Sequence, residues 1–469
     1  MRSEKQGERI RIPAKAGAWY LAVGGISKAT GVLFTPFFTR LLGENDYGEF
    51  ARYMSLLGGA SLVLGAFTSG SGIYNGLAKN PGKKGDYLFS SMALSISVSS
   101  VLCLLLFALS SFLSINALLL IPLTLQLICD AVTAVMLGGE RFSYRYARVT
   151  VISLAGTILP PLLSAIWLKL FGGGFEIRVL LLLLVSFFIA AYSAINLLKG
   201  KRGRMMIKAA FKNSLPLLPS GISSAVTTQS DKLILCSMLG TAALAKYSVV
   251  YSIGISMQFI VTTVGSALAP WIIRRLQSGE AKRIKDLVTP MIIAYSAIAL
   301  CVVALAPEGM TILAPRDYFD ALPALPPIAA SLPLFFLNSV NTLIIHHSGR
   351  TSYPLIISVA SAASSLLFNY ILVLLLGYLG GGLSLLISSV LSLFLGLYFV
   401  RKSAPAMVID IRDMAFNIGI FFPVGWAMYS VYDNFPRRLF LLIIPAIMLL
   451  YSLYLILPQV IEKGGKSRP

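Results

Sequence analysis

The sequence predicts an all-α polytopic membrane protein with about fourteen transmembrane helices, and three observations support this class. First, 57% of the 469 residues are hydrophobic and only 12% are charged, whereas about a quarter of the residues in a soluble domain are charged. Second, apolar runs of about 20 residues, long enough to cross a bilayer, recur throughout the chain. Third, basic residues concentrate in every second connection between these runs, as expected for cytoplasmic loops.

The predicted spans occupy almost the whole chain and leave no room for a soluble domain. The longest polar connections between them are only about 15 residues long. The spans lie at residues 17–38, 49–75, 87–112, 115–137, 149–171, 178–198, 213–237, 246–271, 288–306, 322–345, 353–377, 381–400, 414–432 and 438–458.

The net charge of +20 indicates membrane topology and not a nucleic-acid partner, because of where the basic residues lie. Most Lys and Arg residues cluster at the two ends of the chain and in alternate connections, including residues 199–212. This alternation predicts that both termini face the cytoplasm. The intervening connections hold only Arg40, Lys169, Arg178, Lys246, Arg316, Arg437 and Arg438.

An internal repeat relates the two halves of the chain. The segment "GISKATGVLFTPFFTRLLG" (25–43) aligns with "GISSAVTTQSDKLILCSMLG" (221–240) after one inserted residue. The offset covers six predicted helices, an even number, so the two copies have the same orientation. Chance similarity between two apolar helices is the alternative. Duplication divides the chain into a cytoplasmic N-terminus at 1–16, an N-lobe of helices 1–6 at 17–198, a basic cytoplasmic linker at 199–212, a C-lobe of helices 7–12 at 213–400, two extra helices 13 and 14 at 401–458 and a cytoplasmic tail at 459–469.

A few charged residues interrupt the predicted spans. A charge at the bilayer centre costs about 2.5–3.5 kcal/mol on insertion scales, so each one needs a partner or a wet cavity. Adjacent residues on a helix point about 100° apart, so we expect Asp231 and Lys232 to find separate partners on other helices. The set comprises Lys28 in helix 1, Arg52 in helix 2, Asp130 in helix 4, Asp231 and Lys232 in helix 7, and Arg40 and Glu49 at the outer ends of helices 1 and 2.

These charges have a functional and a structural interpretation. In the functional one, Lys28, Arg52 and Lys232 converge on one cavity, and Asp231 holds part of the cluster. The cations then exceed the anions, and a bound phosphate is a candidate for the compensating anion. In the structural one, the charges form buried ion pairs that set helix packing, and for Asp130 we favour this interpretation.

No residue pattern indicates catalytic chemistry or a metal site. The cysteines all fall inside predicted spans without paired spacing, so we interpret them as small apolar residues. We therefore predict a protein that is not an enzyme and has no metal, no catalytic residue and no cofactor beyond H⁺ or Na⁺ as a candidate coupling ion, to be carried by Asp231 or Asp130.

Three segments carry a resemblance to a known family. The segments "PFFTRLLGENDYGEFARYMSL" (36–56), "LGGERFSYRYA" (137–147) and "QSDKLILCSMLGTAALAKYSVVYSI" (229–253) resemble the polysaccharide-transporter branch of the MOP flippase superfamily. This Wzx-like branch includes the O-antigen and exopolysaccharide flippases. The sequence is also similar to lipid II flippases, which have fourteen spans and an extra C-terminal pair, and it is related to MATE exporters.

The resemblance implies a MATE-like fold of two pseudo-symmetric six-helix lobes and transport by alternating access. The implied substrate is an oligosaccharide on undecaprenyl pyrophosphate, moved across the bacterial cytoplasmic (inner) membrane for O-antigen, capsule or exopolysaccharide biosynthesis. Lys28, Arg52 and Lys232 would line the cationic cavity for this substrate, with Arg40 at its mouth. The implied partners are the lipid-linked glycan, membrane lipids, and the polymerase and chain-length machinery of the same pathway.

Two other functions stay open at this point. A cation-coupled multidrug exporter of the MATE type typically uses a carboxylate in the first lobe. Helix 1 carries Lys28 and no acidic residue, which argues against an exporter, but Asp130 keeps it open. A polyprenol-dependent membrane glycosyltransferase or polymerase would use acidic residues such as Glu44, Asp46 and Glu49 in the first outer loop. Such enzymes usually need longer outer loops than this chain has.

Overall fold

The computed structural model describes residues 24–68, 70–80, 82–108, 119–200, 203, 206–350, 352–403 and 411–461. Every regular element in these ranges is a helix, which confirms the predicted all-α class. Helices satisfy their own backbone hydrogen bonds, so a segment in the bilayer needs no water to solvate its polar groups.

The chain forms two compact units. Unit 1 contains residues 1–229 and 240–245, and unit 2 contains residues 230–239 and 246–469. The boundary falls inside the helix that carries Asp231 and Lys232, so both of these residues belong to unit 2. The lobe boundaries drawn from the repeat stay predictions.

The helices of unit 1 bring four aromatic side chains together near the connection between α1 and α2. Phe38 is fully buried in a cluster with Phe34 and Tyr47, and Phe50 is also buried. The acidic residues at the start of α2 favour its N-terminus, because the helix dipole is positive there. The helices that lie wholly in unit 1 are 24–41 (α1), Glu44–Thr68 (α2), Gly70–Lys79 (α3), Lys84–Ala108 (α4), Leu120–Phe142 (α5), Tyr146–Phe171 (α6), Phe175–Gly200 (α7) and Ile207–Ser214 (α8).

A tight glycine turn joins α6 to α7. Gly172 and Gly173 have φ angles of +71° and +118°, in the region that glycine adopts without the steric cost of a side chain. The turn lets α7 start at Phe175, and Arg178 therefore lies in the first turn of that helix.

Unit 2 contains the later helices and part of two helices that it shares with unit 1, and in it Ile411–Ser430 (α17) and Ile443–Ile461 (α19) pack against Ala281–Ala304 (α12). The Tyr432 hydroxyl donates a hydrogen bond to the Val303 carbonyl at 2.9 Å. Helices α9 and α10 contribute residues to both units. The elements are Leu218–Leu239 (α9), Thr241–Ile255 (α10), Gln258–Gln277 (α11), Ala281–Ala304 (α12), Ala306–Leu313 (α13), Leu325–His347 (α14), Ser352–Leu376 (α15), Tyr378–Ser403 (α16), Ile411–Ser430 (α17), Phe435–Leu441 (α18) and Ile443–Ile461 (α19), with 3₁₀ segments at Leu215–Leu217 and Arg316–Ala324.

An ion pair between a buried arginine and a partly exposed glutamate joins α18 to α13 within unit 2. Arg438 Nη1 and Nη2 donate to the two Glu308 carboxylate oxygens at 2.8 and 2.7 Å, and Nη1 also donates to the Ala304 carbonyl at 2.9 Å. This bidentate geometry is the strong form of an arginine–carboxylate pair. The hydrogen bond from Arg438 holds the pKa of Glu308 below its ordinary value.

Eleven helical stretches in the described part of the chain are long and apolar enough to cross a membrane, so the protein is a multi-pass membrane protein. The exact count of fourteen is not confirmed. The predicted spans without a counterpart among the eleven are 17–38, 213–237 and 414–432. The first begins outside the described residues, and the second, α9, carries Ser, Thr and Gln residues beside its Asp–Lys pair, which lower its hydropathy.

Candidate functional site

Asp231 is a buried carboxylate in α9 with an incomplete set of partners. The residue is 2% exposed, and its Oδ2 accepts a hydrogen bond from the Tyr247 hydroxyl of α10 at 2.9 Å. Its Oδ1 is buried and accepts no hydrogen bond from any described residue. A buried carboxylate needs more compensation than one neutral hydroxyl provides, so Oδ1 is a place for a proton or a cation.

A buried polar cluster begins at the residue before Asp231. Ser230 Oγ lies 2.9 Å from Ser365 Oγ, and Asn369 Nδ2 donates to both hydroxyl oxygens at 3.1 Å. The other amide atom, Asn369 Oδ1, is buried and has no hydrogen-bond partner within the described ranges. Carboxylate, amide and hydroxyl oxygens are the ligands that hard cations prefer. The described residues contain no group of three His, Cys, Asp or Glu side chains that would hold a metal ion.

Lys232 faces a different residue of α10 from Asp231. Its Nζ lies 4.0 Å from the centroid of the Tyr251 ring, one helical turn beyond Tyr247. A ring face attracts an ammonium electrostatically without cancelling its charge. The two neighbouring charges of α9 thus make separate contacts, both to tyrosines of one neighbouring helix.

The predicted cations of unit 1 lie in different settings. Lys28 and Arg40 are exposed on α1, and Arg40 Nη1 donates to the Pro36 carbonyl of its own helix at 3.1 Å. Arg52 is mostly buried and forms an ion pair with Glu49 of its own helix, with 3.6 Å between Nη1 and Oε1. Glu49 therefore compensates part of the cationic excess on which the predicted phosphate site depends.

Asp130 is held by an amide and not by a cation. Gln126 Nε2 donates to Asp130 Oδ1 at 2.9 Å and to Ser186 Oγ at 2.7 Å. No Lys or Arg of the described ranges lies within ion-pair distance of this carboxylate. The structure thus gives Asp130 a hydrogen bond from Gln126 of its own helix, while Gln126 also bonds to α7, and it does not show the ion pair that the structural interpretation expects.

Arg178 is a partly buried cation that the sequence reasoning missed. The positions of the charged residues predict that Arg178 lies in an outer loop, because it comes directly before a long uncharged run. In the structure its guanidinium carbon lies 3.5 Å from the ring centroids of both Phe38 and Phe50 and 5.9 Å from that of Tyr47. This arrangement has no local sequence signal, because the rings come from α1 and α2 and the arginine from α7.

Comparisons with known proteins connect the chain to glycan biosynthesis and to transport. A sequence model of the family described as "polysaccharide biosynthesis protein" matches residues 14–276. No match is found among curated protein sequences.

The solved structures with a similar fold are transporters. The lipid II flippase MurJ in an inward closed conformation has a TM-score of 0.73 and 14% identity, covering 94% of this chain and 99% of that chain. An inward-facing multidrug resistance MATE transporter of the MOP superfamily has a TM-score of 0.67 and 15% identity over 83% of this chain and 98% of that chain. A MOP superfamily transporter from Pyrococcus furiosus has a TM-score of 0.57 and 17% identity, covering 84% and 96%. At this identity the likeness shows that the fold is shared.

Proposed function

Since the chain belongs to the polysaccharide biosynthesis protein family, we propose that it is a flippase for oligosaccharide units linked to undecaprenyl pyrophosphate. The units would cross the bacterial cytoplasmic membrane for O-antigen, capsule or exopolysaccharide biosynthesis, and the pathway's polymerase would use them on the outer side. One observation carries the proposal: a chain of this glycan-related family shares, over 94% of its length, the fold of a flippase for a lipid-linked substrate.

The proposed head-group contacts are made by the cations Lys28, Arg40, Arg52 and Lys232. Ammonium and guanidinium groups bind phosphate oxygens through charge-assisted hydrogen bonds. A pyrophosphate carries more negative charge than the single carboxylate of Glu49, so it competes with Glu49 for Arg52. The protein supplies no chemistry in this scheme, and alternating access moves the head group while the polyprenyl tail stays in lipid.

Asp231 is the proposed coupling residue, with H⁺ or Na⁺ as the ion. Its support is the pair of buried oxygens without a hydrogen-bond partner among the described residues, Asp231 Oδ1 and Asn369 Oδ1. Either ion would compensate the Asp231 carboxylate. Asp130 is the second candidate: Gln126 donates to its Oδ1, and neither of its oxygens is among the buried atoms without a partner in the described ranges, unlike Asp231 Oδ1.

The experiment that tests the proposed function examines lipid-linked intermediates in a strain that lacks the gene. Mass spectrometry identifies the undecaprenyl-linked species, and an added membrane-impermeant probe assigns their leaflet. We expect complete repeat units to accumulate on the cytoplasmic side. Plasmid-borne Lys28→Gln and Lys232→Gln variants should insert normally but complement poorly, and normal complementation by both would contradict their assignment to the site.

A cation-coupled multidrug exporter is the second candidate function. The fold similarity to a MATE transporter and the buried carboxylate of Asp231 favour it. Unchanged lipid pools together with new drug sensitivity in the same deletion strain would support the exporter and reject the flippase. Truncated or unpolymerised glycans would instead point to a transferase or polymerase, which no structural observation favours.

A further inference from the structure

Arg178 lies between two aromatic rings within unit 1. The rings of Phe38 and Phe50 cover the guanidinium, each with its centroid 3.5 Å from the guanidinium carbon. No Asp or Glu of the described ranges lies within ion-pair distance of Arg178. Its Nη1 is buried and has no hydrogen-bond partner in the part of the chain that the structure describes. The rings orient the guanidinium plane and leave its N–H groups to be satisfied along the edge.

A cavity of about 290 Å³ adjoins this arginine. Helices α1, α2, α6 and α7 all contribute to its wall, and every lining residue belongs to unit 1. Pockets for small molecules start at about 300 Å³, so the volume fits one sugar ring or a group of similar size, and not an oligosaccharide. The cavity lies apart from the cations Lys28, Arg40 and Arg52, none of which lines it.

The hydroxyl groups on the cavity wall present acceptors and not donors. Thr30 donates its hydrogen to the Ile26 carbonyl at 2.8 Å, and Thr157 donates to the Ser153 carbonyl at 2.8 Å. Ser164 likewise donates to the Pro160 carbonyl at 2.7 Å, and Ser27 Oγ lies 3.4 Å from Thr157 Oγ1. The lone pairs of these oxygens are left for an occupant.

The cavity wall therefore complements a group that carries both a negative charge and hydrogen-bond donors. The N–H edge of Arg178 calls for an anionic acceptor, because a partly buried guanidinium that has no carboxylate within ion-pair distance among the described residues is stabilised by one. The hydroxyl oxygens call for donors, which a carboxylate or a phosphate without hydroxyl groups lacks. A neutral sugar supplies donors but leaves the guanidinium uncompensated.

We propose that Arg178 and this cavity form a binding site for a hydroxyl-bearing anion about the size of one sugar ring. Two sources provide this chemistry: an acidic sugar, or the glycerophosphate head group of a membrane lipid. An acidic sugar would be part of the transported glycan, so this source rests on the proposed function. The existence of the binding site does not rest on the proposed function.

The test measures ligand-induced stabilisation of the purified full-length protein in nanodiscs of phosphatidylcholine. The probes are glucuronate, glycerol 3-phosphate, glucose and inorganic phosphate, which compare anions that bear carbon-linked hydroxyls with a neutral sugar and with a small anion. At ten times its Kd, a ligand raises the unfolding midpoint of a chain of this length by about 1–2 °C. We expect a rise with glucuronate or glycerol 3-phosphate, and no comparable rise with glucose or phosphate.

The pattern of responses identifies the source or rejects the site. A rise with glucuronate alone assigns an acidic sugar, and a rise with glycerol 3-phosphate alone assigns a lipid head group. No rise with either probe overturns the proposal, and so does an equal rise with phosphate or glucose. The assay measures binding and not transport, so its failure leaves the lipid-intermediate experiment intact, and the reverse also holds.

Two pairs of variants locate the response. Arg178→Gln should abolish the rise, whereas Lys169→Gln, which removes an exposed cation of α6, should preserve it. Because Arg178→Gln risks misfolding, Gly31→Leu provides a second route: Gly31 lines the cavity, and a Cβ there meets no atom within 4 Å. Gly65→Leu is its control, since Gly65 also has open space but does not line the cavity. An undiminished rise in Arg178→Gln or in Gly31→Leu would overturn the assignment.

Discussion

Two arginines that contact aromatic rings, the partly buried Arg178 in unit 1 and the buried Arg438 in unit 2, differ in how completely their charge is compensated. Both contact aromatic rings, since Arg438 lies 5.9 and 5.7 Å from the ring centroids of Tyr432 and Phe435. Arg438 also has the carboxylate of Glu308 and a backbone carbonyl as acceptors. Arg178 has no comparable acceptor among the described residues. The charge of Arg438 is paired and holds two helices together. The charge of Arg178 has no such partner among the described residues and is available to a ligand. Asp231 resembles Arg178, because its Oδ1 also has no hydrogen-bond partner in the described residues.

We expect the largest effect on stability when Arg438 loses its carboxylate partner, Glu308. Glu308→Gln leaves Arg438, whose side chain is 6% exposed, with weaker neutral acceptors, and should lower the free energy of unfolding by about 2 kcal/mol. Asp433→Asn is the control, because Asp433 is an exposed carboxylate in the turn before α18 and exposed charges contribute little. Thermal unfolding of both variants checks the prediction, and equal effects would contradict it.

The same ion pair predicts a dependence of stability on pH. The pKa of Glu308 is held below the ordinary value of 4.5, so folding favours the ionised form. The stabilisation is therefore present above the unfolded-state pKa and disappears as the pH falls through the lowered folded-state pKa. The difference in unfolding midpoint between the wild type and Glu308→Gln should be largest near neutral pH and should decrease below pH 4.5. A difference that is constant across this range would count against the ion pair.

Asp231→Asn should reduce transport by about tenfold while leaving the protein folded. The amide oxygen still accepts the hydrogen bond from Tyr247, but the side chain no longer carries the charge that a proton or cation would compensate. The expected loss corresponds to about 1.4 kcal/mol. Complementation of the deletion strain measures it, with Asp433→Asn as the control for an exposed carboxylate. Full complementation by Asp231→Asn would remove this residue from the coupling mechanism.

Arg178→Met should leave the stability of the ligand-free protein within about 1 kcal/mol of the wild type, or raise it. The change loses the contact with two ring faces but also removes a partly buried charge that lacks a carboxylate partner among the described residues. Arg438→Met, in contrast, breaks a bidentate pair and should destabilise the protein. If unfolding measurements show the same loss for both variants, Arg178 is a structural residue like Arg438.

The smallest effect is expected at the ring that contacts Lys232. Tyr251→Leu removes a cation–π contact of about 0.5–1 kcal/mol and should reduce transport by about two- to fivefold, whereas Tyr251→Phe keeps the ring face and should be nearly silent. A loss of the same size in both variants would assign the role to the Tyr251 hydroxyl and not to its ring.

The sequence predicts the fold class well because hydropathy and the positions of basic residues depend only on local composition. It also points to Asp231 and Lys232, since a charged pair stands out in an apolar stretch. The pairing of Arg52 with Glu49 and the enclosure of Arg178 by Phe38 and Phe50 were not predicted. The first needs side-chain geometry, and the second depends on the packing of helices that are distant in sequence.

The most direct test of the flippase proposal reconstitutes the purified protein into vesicles that carry an undecaprenyl-pyrophosphate-linked oligosaccharide. An impermeant glycan-modifying enzyme added outside then reports how fast the lipid exchanges between the leaflets. We predict that the wild-type protein accelerates this exchange and that Lys232→Gln, inserted to the same level, does so about tenfold more slowly, as expected when a charge-assisted contact is lost. Exchange no faster than in protein-free vesicles would contradict the proposed function.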